Sequence, residues 1–188
     1  DPDILYKKGE IGAIEVKENN MAIWLTPGMN IHRNPLCGRN YEYYSEDPLL
    51  SGKLAAAISR GVQKIDGHYV TIKHFACNNQ EYKRFVSDSL ADERTMREIY
   101  LKPFEMVVKE AKPDMVMCAY NKLNGTYCSD NKWLLTDVLR NEWGFDGVVI
   151  TDWWMQKSYS PEFPELQDNA YRVRSWVDVL MPGSPVGQ

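Results

Sequence analysis

The sequence predicts an α/β fold in which parallel strands alternate with helices, arranged as part of a (β/α)8 barrel of the TIM-barrel type. Short apolar segments, each bounded by polar residues or glycine, are typical of strands buried on both faces of a parallel sheet. Amphipathic segments between them predict helices, and this alternation implies parallel strands. No strand candidate is followed by the pattern Gly-x-Gly-x-x-Gly, so a dinucleotide-binding fold loses its main support.

The strand candidates, in chain order, are residues 22–26, 69–75, 115–120, 147–151 and 177–181. They are too few for a closed barrel of eight strands, which takes about 250 residues, whereas this chain has 188. We therefore expect residues 1–188 to form a single domain, an incomplete barrel whose first strands are missing. An open, doubly wound sheet is the alternative architecture.

The first predicted helix has a recognisable start. Asp47 followed by Pro48 is typical of an N-cap residue and the first helical position. The apolar residues after it recur at every fourth position and predict one buried stripe: Leu50, Leu54, Ile58 and Val62.

Two further helices are predicted. Asp92 can cap one of them, with Ile99 on its inner face, and Pro103 is expected to kink or split it. The other runs from about residue 130 to residue 143, and Gly144 is suited to end it. Its apolar residues are Leu135, Val138, Leu139 and Trp143.

Composition and charge exclude several classes of partner. The net charge is −4 and there is no basic stripe, so neither nucleic acid nor an anionic membrane surface is expected to bind. No apolar run approaches the roughly 20 residues that span a bilayer. Residues 1–8 lack the pattern of a signal peptide. Localisation stays open, with the cytoplasm slightly favoured.

The cysteines argue against a metal site. No two of them form a Cys-x-x-Cys pair, so zinc binding has weak support. Buried free thiols are favoured, and a disulfide between Cys118 and Cys128 is the alternative. We predict neither a metal nor a cofactor.

Polar side chains follow the predicted strands, where parallel βα folds collect their functional groups. Lys73 and His74 end the second strand, Tyr120 the third and Asp152 the fourth, and the loop 30–47 follows the first. Such a mixture of charges, amides and phenols suits a neutral polyol.

Each of these features also has a structural alternative. Asp152 could cap a following helix. Lys73 and His74, adjacent in a strand and therefore on opposite faces, could be an exposed charge and a core histidine. The loop could be a surface Ω-loop.

Six segments, taken together and in this order, resemble glycoside hydrolase family 3 and cover most of the chain. They are NIHRNPLCGRNYEYYSEDP (30–48), KHFACNNQE (73–81), DERTMREIYLKPFE (92–105), CAYNKLNG (118–125), LRNEWGFDGVVITDW (139–153) and MPG (181–183). The resemblance implies part of the N-terminal barrel of a retaining, β-glucosidase-like hydrolase that cleaves terminal β-linked sugars.

The resemblance also implies roles for individual residues. Asp152 would be the nucleophile that attacks the anomeric carbon, and Tyr120 would lie near it and the ring oxygen. Trp153 would form a wall of the sugar site. The residues that would bind sugar hydroxyls are Arg39, Lys73 and His74. The residues that would hold these groups in place are Glu42, Asn79 and Arg84.

The chemistry explains why these residue types are needed. A carboxylate stabilises an oxocarbenium-like transition state, and a retaining enzyme needs a second carboxyl about 5–5.5 Å away as acid and base. Asp152 must be ionised, which Lys73 and Arg39 would favour. In most family members the acid/base Glu lies in a second domain after the barrel, and an Asp that binds sugar hydroxyls precedes this region.

We therefore expect both groups to be missing here, the isolated chain to be poorly active, and a second chain or domain to supply the Glu. The segment KHFACNN at 73–79 departs from the KHFPGHG of the N-acetylglucosaminidase branch, which we exclude. A non-catalytic carbohydrate-binding or scaffold module is the alternative function.

Overall fold

The chain folds around a five-stranded parallel sheet. The computed structural model describes residues 1–155 and 168–182. In chain order the strands are β1 (Ile23–Trp24), β2 (Tyr69–Phe75), β3 (Asp88–Ser89), β4 (Met115–Cys118), β5 (Lys122–Leu123), β6 (Thr126–Tyr127), β7 (Val148–Trp153) and β8 (Val179–Met181). The main sheet has the order β1-β2-β4-β7-β8, and each of its neighbouring pairs is parallel.

The strand order decides between the two predicted architectures. A doubly wound sheet reverses its strand order at a switch point, whereas here the spatial order of the main sheet follows the chain order. This is the winding of a barrel, and the partial (β/α)8 fold is confirmed. Each of the five predicted strands is present, although the fourth extends two residues further and includes Asp152 and Trp153.

The helices connect these strands, and their predicted ends are largely confirmed. They are α1 (Pro2–Glu18), α2 (Pro48–Val62), α3 (Glu93–Thr95), α4 (Lys102–Ala111) and α5 (Ala170–Arg174), with π-helical stretches at Met96–Tyr100 and Trp133–Glu142 and a 3₁₀ turn at Cys128–Asp130. Asp47 caps α2 and Asp92 caps α3. Pro103 lies in the first turn of α4, where the predicted split occurs, and Gly144 has a φ of +74° after the second π-helical stretch.

Two predicted core positions are wrong. Ile99 is 39% exposed, whereas Met96 and Leu101 are fully buried. The π-helical hydrogen bonding of Met96–Tyr100 changes the residue spacing per turn, so the α-helical periodicity points to the wrong side chain. Leu50 is 45% exposed. It lies in the first turn of α2, where Ser51 and Gly52 form the buried side instead.

Helix α1 was not predicted from the sequence. It packs on α2 at a close crossing of two glycines, where a Cβ on Gly61 would overlap the carbonyl oxygen of Tyr6 and one on Gly9 would overlap that of Ile58. The missing side chains therefore let the two helix backbones touch.

A second, small sheet forms beside the carboxyl ends of the main strands. Its order is β3-β5-β6, with β3 parallel to β5 and β5 antiparallel to β6. It joins the connection after β2 to the one after β4. The main core lies between the large sheet and its helices, where Phe75 packs against Phe104 and Trp143 at ring-centroid distances of 5.1 and 5.8 Å.

Candidate active site

The predicted polar residues meet at one edge of the sheet, formed by the carboxyl ends of β2, β4 and β7. His74 is the penultimate residue of β2, and Asp152 is the penultimate residue of β7. Tyr120 lies two residues after the end of β4. Because the strands are parallel and adjacent, their ends bring side chains together that are distant in the sequence.

The Asp152 carboxylate is buried, and its two oxygens differ. The residue is 8% exposed. Oδ1 accepts a hydrogen bond from the backbone N–H of Trp153 at 2.7 Å. Oδ2 accepts no hydrogen bond of normal geometry from the part of the chain described, and it lies 3.7 Å from His74 Nε2. The Tyr120 hydroxyl also interacts with this carboxylate, so Asp152 lies between the imidazole of His74 and the phenol.

His74 is held from two directions. Asn30 binds its backbone twice, donating from Nδ2 to the carbonyl oxygen at 2.8 Å and accepting from the N–H at 2.9 Å. The ring nitrogen Nδ1 lies 3.2 Å from the hydroxyl of Tyr43, which in turn accepts from Asn78 Nδ2 at 3.1 Å. Asn30, Tyr43 and Asn78 were not predicted as site residues, although all three belong to segments of the family resemblance.

Positive charges surround the histidine and the carboxylate. Burial lowers the pKa of Lys73, while the charges of Glu42 and Asp152 act in the opposite direction. Burial and the nearby cations, Arg39 foremost, hold the pKa of His74 well below its ordinary value. The imidazole is therefore neutral at neutral pH.

That Lys73 and His74 leave the strand on opposite faces stays a prediction. The His74 ring nitrogen Nε2 lies 3.7 Å from Asp152 Oδ2, and the charge of Lys73 interacts with the carboxylate as well. The pairing between β2 and β4 shifts its register between Ile72 and Phe75, so ideal strand alternation does not apply to this stretch.

Two ion pairs flank the site. Arg39 donates from Nε to Glu42 Oε1 at 2.5 Å. Burial lowers the pKa of Arg39, but the hydrogen bond and charge of Glu42 outweigh it and the net change is a rise. Arg84 donates to Glu81 Oε2 at 2.6 Å. Glu81 was not among the predicted residues.

Arg84 links the second ion pair to Tyr120. Its guanidinium carbon lies 4.5 Å from the centre of the Tyr120 ring, a cation–π distance. The Tyr120 hydroxyl donates to the backbone carbonyl of Trp153 at 2.8 Å. Burial and the Asp152 carboxylate together raise the pKa of Tyr120 to about 12, so it stays protonated.

The remaining predicted residues lie at the same edge. Asn79 donates from Nδ2 to the carbonyl of Ile31 at 2.6 Å and so ties the loop 30–47 to the end of β2. Trp153 contributes its backbone N–H and carbonyl to Asp152 and Tyr120. The role of its ring as a wall of the sugar site stays a prediction.

A cleft of about 490 Å³ lies beside this cluster, between the loop 30–47 and the small sheet, and is lined by Asn78, Asn79 and Tyr100 among others. Asp152 does not line it. The carboxylate, cations and phenol that glycoside chemistry needs surround Asp152, and we place the candidate active site there.

Within residues 1–155 and 168–182, no three His, Cys, Asp or Glu side chains gather as metal ligands. In the same ranges no helix is both long and apolar enough to cross a bilayer. The four cysteines, Cys37, Cys77, Cys118 and Cys128, are buried and free, so the proposed alternative of a disulfide is wrong.

A parallel sheet wound as part of a barrel, with polar and charged side chains at its strand ends, places the chain in the class of (β/α)8-type domains. The chain belongs to glycosyl hydrolase family 3, whose N-terminal domain matches residues 1–186.

Relatives agree with this assignment. Thermostable beta-glucosidase B of Acetivibrio thermocellus is 54% identical over 153 residues, which are 81% of this chain and 20% of the relative. An exo-alpha-(1->6)-L-arabinopyranosidase of Bifidobacterium longum is 50% identical over 153 residues, again 81% of this chain and 20% of the relative. The structure of beta-glucosidase 3B from Thermotoga neapolitana in complex with glucose is 48% identical, with a TM-score of 0.90 over 98% of this chain and 24% of that chain. The chain thus spans about a fifth of the length of these curated relatives.

Proposed function

We propose that this chain, as one incomplete barrel domain of residues 1–188, forms the nucleophile-bearing part of a retaining glycoside hydrolase that cleaves terminal β-linked sugars. Asp152 is the nucleophile. The observation that carries the proposal is its carboxylate, which is buried at the end of β7, accepts from the Trp153 N–H through Oδ1 and places Oδ2 3.7 Å from His74 Nε2. A carboxylate at the end of a parallel strand, beside the His74 ring and the Tyr120 phenol, lies where folds of this type collect their reacting groups.

The reaction proceeds in two steps. An oxygen of Asp152 forms a bond to the anomeric carbon while the bond to the leaving group breaks, and the leaving group takes the electron pair and a proton from an acid. Water then attacks the same carbon and gives a proton to the conjugate base of that acid, which releases the sugar and restores the carboxylate. The carboxylate also stabilises the positive charge that develops on the sugar in both transition states.

The side chains around Asp152 are suited to bind the sugar. Lys73 and Arg39 supply charged donors, which form stronger hydrogen bonds to hydroxyls than neutral ones do. The Tyr120 hydroxyl lies near the nucleophile, and the ring of Trp153 offers a flat apolar surface to a pyranose. Glu42, Asn79 and Arg84 hold these groups through the contacts described above.

The acid/base group belongs elsewhere in this proposal. Glu42 and Glu81 are the glutamates of the cluster, and each already binds an arginine, Arg39 and Arg84 respectively. A carboxylate engaged in this way is not free to donate a proton to a leaving group. We infer that a Glu from a second domain or a second chain completes the site, and that this half alone turns over ordinary glycosides about 10²–10⁴-fold more slowly.

The nature of the sugar is a separate part of the proposal. β-Glucosides are the first choice because two of the relatives above are named as β-glucosidases and one is bound to glucose. A relative at 50% identity is named as an L-arabinopyranosidase. The substrate panel should therefore contain aryl β-D-glucosides, β-D-xylosides and α-L-arabinopyranosides.

An activated 2-deoxy-2-fluoro-β-glucoside tests the nucleophile directly. Its leaving group departs without protonation, so labelling does not require the missing acid. We expect one sugar per chain, on the peptide that contains Asp152, and no label on Asp152→Asn. Asp146→Asn, a change at an exposed aspartate, is the matched control and should label normally. Label on a different residue would refute the assignment, and sugar binding without any label would favour the non-catalytic binding module.

A further inference from the structure

We propose that Tyr43 and Asn78 are positioning residues that fix His74 in one tautomer, with its proton on Nε2, facing Asp152 and the sugar. The functional consequence of this assignment rests on the proposed glycosidase activity. The tautomer itself follows from the hydrogen bonds alone, and it can be measured without turnover.

Glu81 is ion-paired with Arg84, and its carboxylate can only accept hydrogen bonds. Asn78 Nδ2 lies 3.0 Å from Glu81 Oε1. If the Asn78 amide were flipped, its oxygen would oppose this carboxylate, so the NH₂ group is the one that faces it. The same NH₂ group lies 3.1 Å from the Tyr43 hydroxyl and donates its second proton there.

The direction of the next hydrogen bond follows. The Tyr43 hydroxyl has one proton, and its oxygen already accepts from Asn78. Burial raises the pKa of Tyr43, so this proton is retained. It points to His74 Nδ1 at 3.2 Å, which must then be the unprotonated nitrogen.

The other side of the ring leads to the same tautomer. Nε2 lies 3.7 Å from Asp152 Oδ2, and two unprotonated acceptors at this distance would repel each other. With the proton on Nε2, the N–H dipole instead points towards the carboxylate. The distance is longer than a hydrogen bond, so this N–H remains available to a sugar hydroxyl.

His74 has little freedom to rotate away from this arrangement. Asn30 holds its backbone through two hydrogen bonds, the residue is 1% exposed, and Tyr43 packs against the ring at 65°. The partners of both ring nitrogens are therefore fixed by the fold.

A neutral donor at this position suits the reaction. A charged imidazolium so close to Asp152 would attract the carboxylate strongly in a site of low dielectric constant, and it would oppose the positive charge that develops on the sugar. A neutral Nε2–H can bind a hydroxyl without either effect. Tyr43 supports the neutral form, because its hydrogen bond to Nδ1 requires the lone pair that protonation would remove.

Nitrogen-15 NMR of histidine-labelled protein tests the tautomer. The chain has three histidines, so the signals can be assigned with His32→Gln and His68→Gln variants. We expect His74 to show an unprotonated Nδ1 and a protonated Nε2. In Tyr43→Phe, which keeps the buried ring, we expect a mixture of tautomers. Tyr44→Phe is the control, since its hydroxyl makes no hydrogen bond to the described residues, and it should leave the His74 signals unchanged. A protonated Nδ1 in the unaltered protein would overturn the proposal.

A second measurement separates positioning from general damage. Glucose binding, followed by titration over a range of pH, should weaken about 3- to 10-fold in Tyr43→Phe at neutral pH. In Tyr43→Phe, glucose binding should also begin to weaken at a higher pH than in the unaltered protein. Protonation of His74 Nδ1 then no longer breaks a hydrogen bond from the Tyr43 hydroxyl, so the ring is protonated more easily. An unchanged tautomer and pH profile in Tyr43→Phe would refute the role of Tyr43. The two proposals can fail separately. If His74 shows the expected tautomer but the protein neither binds glucosides nor is labelled by them, the tautomer assignment stands and the proposed function is refuted.

Discussion

The substitution Asn78→Asp tests the hydrogen bonds that hold the candidate site together. Asn78 is 1% exposed, and both protons of its amide are used, one by Tyr43 at 3.1 Å and one by Glu81 at 3.0 Å. Aspartate has almost the same shape but no proton to donate when ionised. It would also place a second negative charge against Glu81 without access to solvent.

The size of the effect can be worked from these contacts. Each lost hydrogen bond contributes about 0.5–1.5 kcal/mol, and an unpaired buried carboxylate adds about 1–3 kcal/mol or more. We therefore expect the free energy of unfolding to fall by about 3 kcal/mol at neutral pH. In a chain of 188 residues this corresponds to a decrease in Tm of about 6–12 °C.

Urea unfolding at several pH values measures this loss. The control is Gln80→Glu, the same change from amide to acid two residues away at an exposed position, for which we expect a change within about 0.5 kcal/mol. Burial and Glu81 would raise the pKa of the new carboxyl in the folded state. The deficit should therefore be largest at neutral pH and shrink at acidic pH, where the group is protonated and can donate again. If Asn78→Asp were as stable as Gln80→Glu, the reasoning about this network would be wrong.

Three further predictions concern packing, charge and reactivity. Gly61→Ala should lower the free energy of unfolding, measured in urea, by about 2 kcal/mol or more, because its Cβ would overlap the Tyr6 carbonyl. In the control Gly38→Ala the nearest contact of the new Cβ is a carbon 3.8 Å away, so the change should be nearly neutral. Equal losses in the two variants would contradict the close helix crossing. Lys73→Met should raise stability at neutral pH, since burial lowers the pKa of Lys73 and its charge destabilises the folded state below that pKa. This gain should disappear as the pH approaches the ordinary lysine value of 10.5, and a gain that persists there would refute the cause. Burial raises the pKa of the thiols of Cys77, Cys118 and Cys128. They should react with a disulfide reagent in urea but only slowly in the native protein. Rapid reaction of the native protein would show that these thiols are accessible.

Much of the fold was predictable because its signals are local. A parallel strand is a short apolar run, and the caps at Asp47 and Asp92 lie within three residues of the N–H groups that they bind. Helix α1 was missed because its evidence is not local. Its packing depends on the close contact of Gly9 with the backbone of α2 and of Gly61 with the backbone of α1. A glycine within a helical sequence does not indicate which other helix it will contact.

The candidate site was predictable only in part, for the same physical reason. Asp152, Lys73 and His74 could be singled out as candidates because the carboxyl ends of parallel strands are where such folds place their functional groups. The residues that hold them were missed. Asn30 and His74 are 44 residues apart in the sequence, and Tyr43 and His74 are 31 apart. An amide or a phenol in a polar loop has no pattern that identifies which distant group it will bind.

Other aspartates of the chain show how Asp152 differs from the helix caps that the structure describes. Asp92 caps α3 with both oxygens engaged by Thr95, and Asp47 caps α2 by accepting from two backbone N–H groups. Both caps are exposed, so the cost of desolvating their charge is small. Asp152 is buried, and its Oδ2 has no hydrogen-bond partner in the described part of the chain. Its Oδ1 accepts from the backbone N–H of Trp153, the next residue of β7, and not from the first turn of a described helix. Its buried position beside His74 fits the nucleophile that we propose, and the labelling experiment tests that role.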